Sequence, residues 1–217
     1  MRRLWSLVLA SVAAQLVLAA PIKLDLDRSK SYIVAVTRKG GLLSFAGGHE
    51  HGILATEWSA AVCFDRDNPP ASSVRIVVPT KSLRIDSEEA RQKVKLPAKG
   101  PGPKDVEEIQ GKMLGPGNLS AEQHAEIEFK TASVEKKGLD ALVLTGPLTI
   151  RGRTRTVSAL VTLGSLAADS LLFTGELKVK QTDFGIKPAS VAGVVNVKDL
   201  VEIRFEFQAR PTTESCK

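Results

Sequence analysis

Apolar and polar residues alternate over much of this chain, most cleanly from Leu142 to Leu163, LVLTGPLTIRGRTRTVSALVTL. A period of two marks a strand with one buried and one wet face. The interruption at Arg151-Gly152 predicts a two-residue hairpin turn. In that register Ile150 lies opposite Arg153, Leu148 opposite Arg155, Leu144 opposite Ala159 and Leu142 opposite Val161. Paired residues project to the same side, so the apolar rows of the two strands join into one wall.

The same pattern predicts strands over Tyr32 to Thr37, Ile53 to Phe64, Ser73 to Thr80, His124 to Phe129, Leu171 to Lys180 and Val201 to Gln208. Leu42 to Phe45 either continues the first of these or begins the next. The middle of the chain changes period. Asp86-Ser87-Glu88-Glu89 has the acidic first turn of a helix start. Val106, Ile109, Met113 and Leu114 recur at helical spacing, so a second helix is expected over Lys104 to Leu114, ended by Gly115-Pro116-Gly117. The sum is a mainly all-β chain of about eight antiparallel strands with a short helical insertion. Single-faced strands in this number close into an up-and-down barrel or pack as a sandwich. Closure removes exposed edges and leaves an interior for side chains or one ligand.

The two ends of the chain read differently. Arg2 and Arg3 precede an apolar run from Leu4 to Ala20, and Val17-Leu18-Ala19 has the small-residue pattern of a cleavage site. Residues 1–19 are expected to be a secretory signal peptide. The alternative is an uncleaved anchor, for which the run is short. Residues 20–209 form the expected domain, and the polar stretch 210–217, ending PTTESCK, reads as a frayed tail. Cys63 and Cys216 are the two cysteines of the 217 residues. Export permits them to pair, but spacing does not establish that they do.

Loss of Arg2 and Arg3 lowers the formal net charge from +6 to +4. The charges are mixed in sign along the wet strand faces, and no aromatic residues interleave with a basic stripe. This argues against nucleic-acid binding and leaves peripheral contact with anionic lipid as an electrostatic option.

Several segments in order resemble one family. Gly146-Pro-Leu-Thr-Ile-Arg-Gly-Arg-Thr-Arg-Thr-Val157 is similar to the central signature of the YceI-like family of lipocalin-like, polyisoprenoid-binding proteins. Phe64-Asp65 with Asn68-Pro69 and Ser73-Val74, then Ala125 to Phe129, Asp183 to Lys187, and Val197-Lys198-Asp199 with Val201-Glu202-Ile203 extend the likeness over Lys30 to Ala209. The resemblance implies a lipocalin-like eight-stranded barrel with a long apolar cavity. It implies a periplasmic or secreted location, and non-catalytic binding of an isoprenoid lipid such as a polyprenyl chain or quinone. The Pro-rich insertion and the segment Gly47-Gly-His-Glu-His-Gly52 depart from the pattern.

Three sets of residues are candidates for a site. Val34, Trp58, Val62, Phe64, Phe129, Leu144, Phe173 and Phe205 stand on apolar rows and either line a cavity or fill a core. Arg153 and Arg155 face inward at the rim in the hairpin register. There they either hold a polar headgroup or reach past the rim into water. His49, His51 and His124 are the chain's three histidines. Three neutral imidazoles suit a divalent metal, which makes a metal-binding protein or metalloenzyme the alternative function. The plain alternative is a polar loop. No nucleophile elbow, zinc-protease motif, P-loop or dinucleotide fingerprint occurs. Catalytic groups meet in space rather than in sequence, so it is the resemblance that implies no enzyme and no cofactor.

Overall fold

The structure, a computed structural model, describes residues 20–40, 49–167, 170–191 and 195–216. The expected signal peptide and the strand at Leu42 to Phe45 lie outside the described residues. In chain order the strands are β1 (Ile22–Leu26), β2 (Tyr32–Gly40), β3 (His51–Ala55), β4 (Ser59–Phe64), β5 (Ser73–Pro79) and β6 (Leu83–Ile85). Helices α1 (Glu88–Lys93) and α2 (Pro103–Leu114) follow. Then come β7 (Glu126–Lys130), β8 (Ser133–Lys136), β9 (Ala141–Ile150), β10 (Arg153–Ala167), β11 (Ser170–Lys180), β12 (Ser190–Val191) and β13 (Val195–Ser215).

The hairpin between β9 and β10 has the predicted register, with Ile150 opposite Arg153 and Leu142 opposite Val161. Arg151 and Gly152 both take left-handed backbone, φ 51° and 67°. That twist matches the twist of the flanking strands. From this hairpin the ladder runs β10–β11–β13–β1–β4–β5–β7–β9, which is a closed antiparallel ring of eight strands. β2, β3 and β6 prolong β1, β4 and β5 toward the end of the barrel where the hairpin turns. β8 prolongs β7 toward the other end.

The first three staves are therefore each broken once, and the breaks lie side by side. Thr56 donates to the Ser82 carbonyl from its N–H at 3.2 Å and from its hydroxyl at 2.8 Å. The Ser82 hydroxyl donates to the Glu57 carbonyl at 3.0 Å, and Arg28 donates to the Trp58 carbonyl. Side chains thus satisfy backbone groups that a continuous ladder would otherwise pair.

The helical insertion has a structural task. β6 is the end of its ladder, and the register gives it no strand partner on the side toward β7. Gln110 of α2 substitutes for that partner: its Oε1 accepts from Ile85 N–H at 2.9 Å and its Nε2 donates to the Leu83 carbonyl at 2.8 Å. α1 lies elsewhere, on the outer face of β2 and β3. Its start is capped by the Ser87 hydroxyl, which accepts from Ala90 N–H at 3.2 Å. Ala90, Val94 and Leu96 cover Val34, Val36 and Leu54 there.

The C-terminal stretch is not frayed. β13 continues to Ser215, pairing Pro211 with Leu24 and Ser215 with Ile22. Cys216 is disulfide-bonded to Cys63, with Cα atoms 5.9 Å apart. The polar composition of PTTES suggested a loose end, but β1 supplies a ladder partner and the disulfide an anchor. β1 lies between β4 and the end of β13, so it completes the ring that the disulfide holds.

Candidate functional site

The barrel encloses an apolar cavity of about 270 Å³. Its walls come from every stave, and no Lys, Arg, Asp or Glu side chain lines it among the described residues. At the end near the disulfide the lining belongs to a cluster that includes Phe64, Val134, Leu142, Leu144 and Val161. At the other end Met113 of α2, Leu119, Phe184 and Ile186 close over Leu148 and Ile150. Phe184 ends a 3-10 turn, Gln181–Phe184, which follows β11. The uncharged polar residues Thr37, Asn118 and Gln181 line this same end. Ser72 is at the disulfide end, where its hydroxyl accepts from Asp65 N–H at 2.9 Å.

Six of the ten residues expected to hold a ligand line this cavity: Val62, Phe64, Phe129, Leu144, Phe173 and Phe205. The Phe205 ring lies across Gly175, where a Cβ would come within 2.3 Å of it. It stacks on Phe207, with centroids 5.3 Å apart. Glycine at position 175 is what allows an aromatic ring to lie flat against the wall there.

Two expectations, Val34 and Trp58, need correction, while Arg153 and Arg155 take the second of the two readings open to them and reach past the rim. Val34 faces out of the barrel and is sealed beneath α1, while Ile33 and Ala35 of the same strand line the cavity. Both rows of β2 are apolar because both are covered, so alternation did not distinguish inside from outside. Trp58 is buried but is not part of the lining. It fills the break between β3 and β4, 5.3 Å from the Phe207 ring centroid and beneath the Arg28 guanidinium. Arg153 and Arg155 have the expected register but are exposed beyond the rim. Arg153 lies over Gly185, and Arg155 donates to the Thr154 carbonyl at 2.9 Å.

The histidines do not converge, and the described residues contain no cluster of three metal-ligating side chains. His49 is exposed, and His124 packs against Gly152 at the hairpin turn. His51 is committed elsewhere: its Nδ1 lies 2.5 Å from Asp86 Oδ2. Asp86 is the centre of a buried polar knot outside the barrel wall, its side chain 1% exposed. Its Oδ1 accepts from Gly52 N–H at 3.1 Å and from Arg91 Nη1 at 2.8 Å. Arg91 also donates to the carbonyls of Glu50, Pro97 and Lys99, so it holds the Pro-rich loop to β3. Burial pushes the Asp86 carboxyl up, but its bonds to His51, Gly52 and Arg91 prevail and hold it below its ordinary value.

Among the lining residues that sequence reasoning missed are Ile33, Ala35, Thr37 and the cap: Met113, Asn118, Leu119, Gln181, Phe184 and Ile186. Met113 was visible as a helical apolar position, but nothing local says that its helix closes a barrel.

Residues 25–209 match the family model described as a YceI-like domain. The chain belongs to the YceI-like family. Three solved structures share the fold of this YceI-like protein. BcnA of Burkholderia cenocepacia aligns with a TM-score of 0.64 at 21% identity, covering 85% of this chain and 99% of that one. A polyisoprenoid binding domain from Saccharophagus degradans, implicated in plant cell wall breakdown, aligns at 0.57 and 12% identity, over 88% and 99%. A Campylobacter jejuni YceI protein aligns at 0.55 and 16%, over 75% and 85%. None of the curated proteins matches the chain.

Proposed function

We propose that this YceI-like protein is an exported, non-catalytic carrier that encloses an isoprenoid-type lipid, a polyprenyl chain or quinone, in its barrel. The observation that carries this reading is a continuous apolar cavity with no charged side chain in its lining among the described residues. A buried charge without a partner is costly, so a carboxylate or phosphate does not belong inside. That disfavours a fatty acid and favours a neutral chain, stabilised by roughly 0.8 kcal/mol per buried methylene. The uncharged polar groups Thr37, Asn118 and Gln181 orient a hydroxyl or carbonyl headgroup at the capped end. The tail then runs toward Leu142 and Phe64 at the disulfide end. A neighbour of the same fold is a polyisoprenoid binding domain, which supports the same class of ligand. Export is supported by the leader-like residues 1–19 and by a Cys63–Cys216 disulfide, a bond suited to an oxidising compartment. The ligand's route is the seam between β6 and β7, closed by a helix rather than by a ladder.

The test is native mass spectrometry of protein purified from its own host, followed by organic extraction. A neutral isoprenoid lipid, one per chain, is expected. Phe173→Asp puts a charge into the cavity and should abolish lipid retention while a melting curve shows the barrel still folded. A bare wild-type mass, or undiminished lipid in the folded variant, sinks the reading.

A further inference from the structure

The tip of the β9–β10 hairpin presents a cationic face that the cavity does not use. Arg153 and Arg155 are exposed there, beside Arg151. Among the described residues none of these three arginines is ion-paired with a carboxylate. Lys180 at the end of β11, Lys187 after the 3-10 turn and Lys198 in β13 are exposed at the same end, also without ion pairs in the described structure. Glu126, Asp183 and Asp199 also lie at this end; Glu176 and Glu202, further along β11 and β13, are already paired with Lys178, Arg204 and Arg38. Asp199 is already engaged, accepting from Thr182 N–H at 2.9 Å and from its hydroxyl at 2.7 Å. At the disulfide end Lys23 pairs with Glu214 and Arg75 with Glu128, while Lys136 and Lys137 are exposed without ion pairs in the described structure.

The tip is also held in place. Arg151 donates to the Gly185 carbonyl, and to the Pro116 carbonyl at 2.9 Å. Thr149 and Thr154 bond across the hairpin at 2.8 Å. A preordered cationic face loses little conformational freedom on binding. Pro116 and Gly185 belong to the two segments that cap the cavity, so this face is fastened to the cap itself.

We propose that this arginine tip docks the capped end of the barrel on an anionic lipid membrane. The proposal rests on the carrier reading, because an apolar ligand passes between bilayer and cavity most readily where the two meet. Charge complementarity selects the partner: exposed guanidinium and ammonium groups match lipid phosphates. Each such residue strengthens partition onto an anionic surface by roughly fivefold.

The experiment is co-sedimentation of the full chain with phosphatidylcholine vesicles, with and without phosphatidylglycerol. Binding only to the anionic vesicles, weakened by salt, is expected. The double variant R153E/R155E should weaken it by at least about tenfold. K136E/K137E reverses charge at the opposite end and should change it less than about twofold. Melting curves of both variants confirm that they are folded. Equal losses in the two variants, or binding indifferent to R153E/R155E, overturns the proposal. Lipid content of the wild-type protein is measured separately. A chain that carries no lipid yet docks through its tip would sink the carrier reading and leave the docking surface standing.

Discussion

The two ends of this barrel are closed by different means. At one end the edge strand β8, paired with β9, meets the turn Pro69–Ala71 on its other side. β1 is paired on both sides, and a disulfide joins the strands that flank it. At the other end the ladder stops at β6, and the gap is filled by α2, by the loop after it and by the 3-10 turn following β11. Ladder hydrogen bonds form and break cooperatively with the sheet, whereas a packed helix can shift alone. On the carrier reading, the disulfide end stays shut and the helix-capped end opens. The polar lining residues Thr37, Asn118 and Gln181 and the cationic hairpin tip are both at the end that can open.

The comparison breaks first at the disulfide. Cys63 and Cys216 are 153 residues apart, and a loop of that size gives a cross-link worth up to about 5 kcal/mol in the chain-entropy view. C63S/C216S should lose a large part of that in urea denaturation. Hydrogen exchange should rise in β1 and in residues 210–216 before it rises in β9 or β10. A uniform loss of protection across the barrel would mean that the disulfide stabilises the whole sheet and does not serve as a local clasp.

The polar knot at Asp86 supports the other end and comes next in size. Removing one partner of a buried ion pair typically costs about 3–5 kcal/mol, because the other charge stays buried. Asp86→Asn leaves Arg91 in that position and should destabilise the protein by about this amount at neutral pH. The folded carboxyl ionises more readily than the free one. Its contribution is therefore complete above the ordinary value of 3.8 and is withdrawn as pH falls through and below that value. Urea denaturation of the wild type in that acid range should show the decline. Asp86→Asn should show a shallower one; an identical acid limb would assign the decline to other carboxylates.

How far these features were legible in the sequence depends on whether a local pattern had one physical cause. The β9–β10 hairpin was readable to the residue because alternation, a two-residue turn and glycine at position 152 agree. Both helices were readable from their acidic start and apolar spacing. β2 misled because α1 covers its outer face, so Val34 and Ile33 are both buried, on opposite sides. The stretch Ile53 to Phe64 reads as one strand, yet it breaks at Trp58, where a large ring fills the space between β3 and β4. β1 was hidden by its shortness and its place beside the expected cleavage site. The Asp86 knot was invisible because it joins residues from β3, the turn after β6 and α1 that no spacing rule connects.

Gln110 gives the smallest and sharpest test of the difference between the two ends. Its amide carries both hydrogen bonds that a seventh strand would have given β6 at Ile85 and Leu83. Gln110→Leu keeps the helix and a similar volume but leaves Ile85 N–H without its partner, while the Leu83 carbonyl keeps the Arg84 guanidinium at 3.0 Å. The expected cost is about 1–3 kcal/mol, since a stranded buried N–H pays its full desolvation penalty. Stability alone does not separate a structural strut from a gate, so the deciding measurement is the rate at which bound lipid leaves. If α2 closes the route, the variant releases lipid several times faster than its modest destabilisation lowers the folded fraction. C63S/C216S, although less stable, releases it at close to the wild-type rate. If the order is reversed, the ligand leaves past the disulfide, and the end that the disulfide holds is the one that opens.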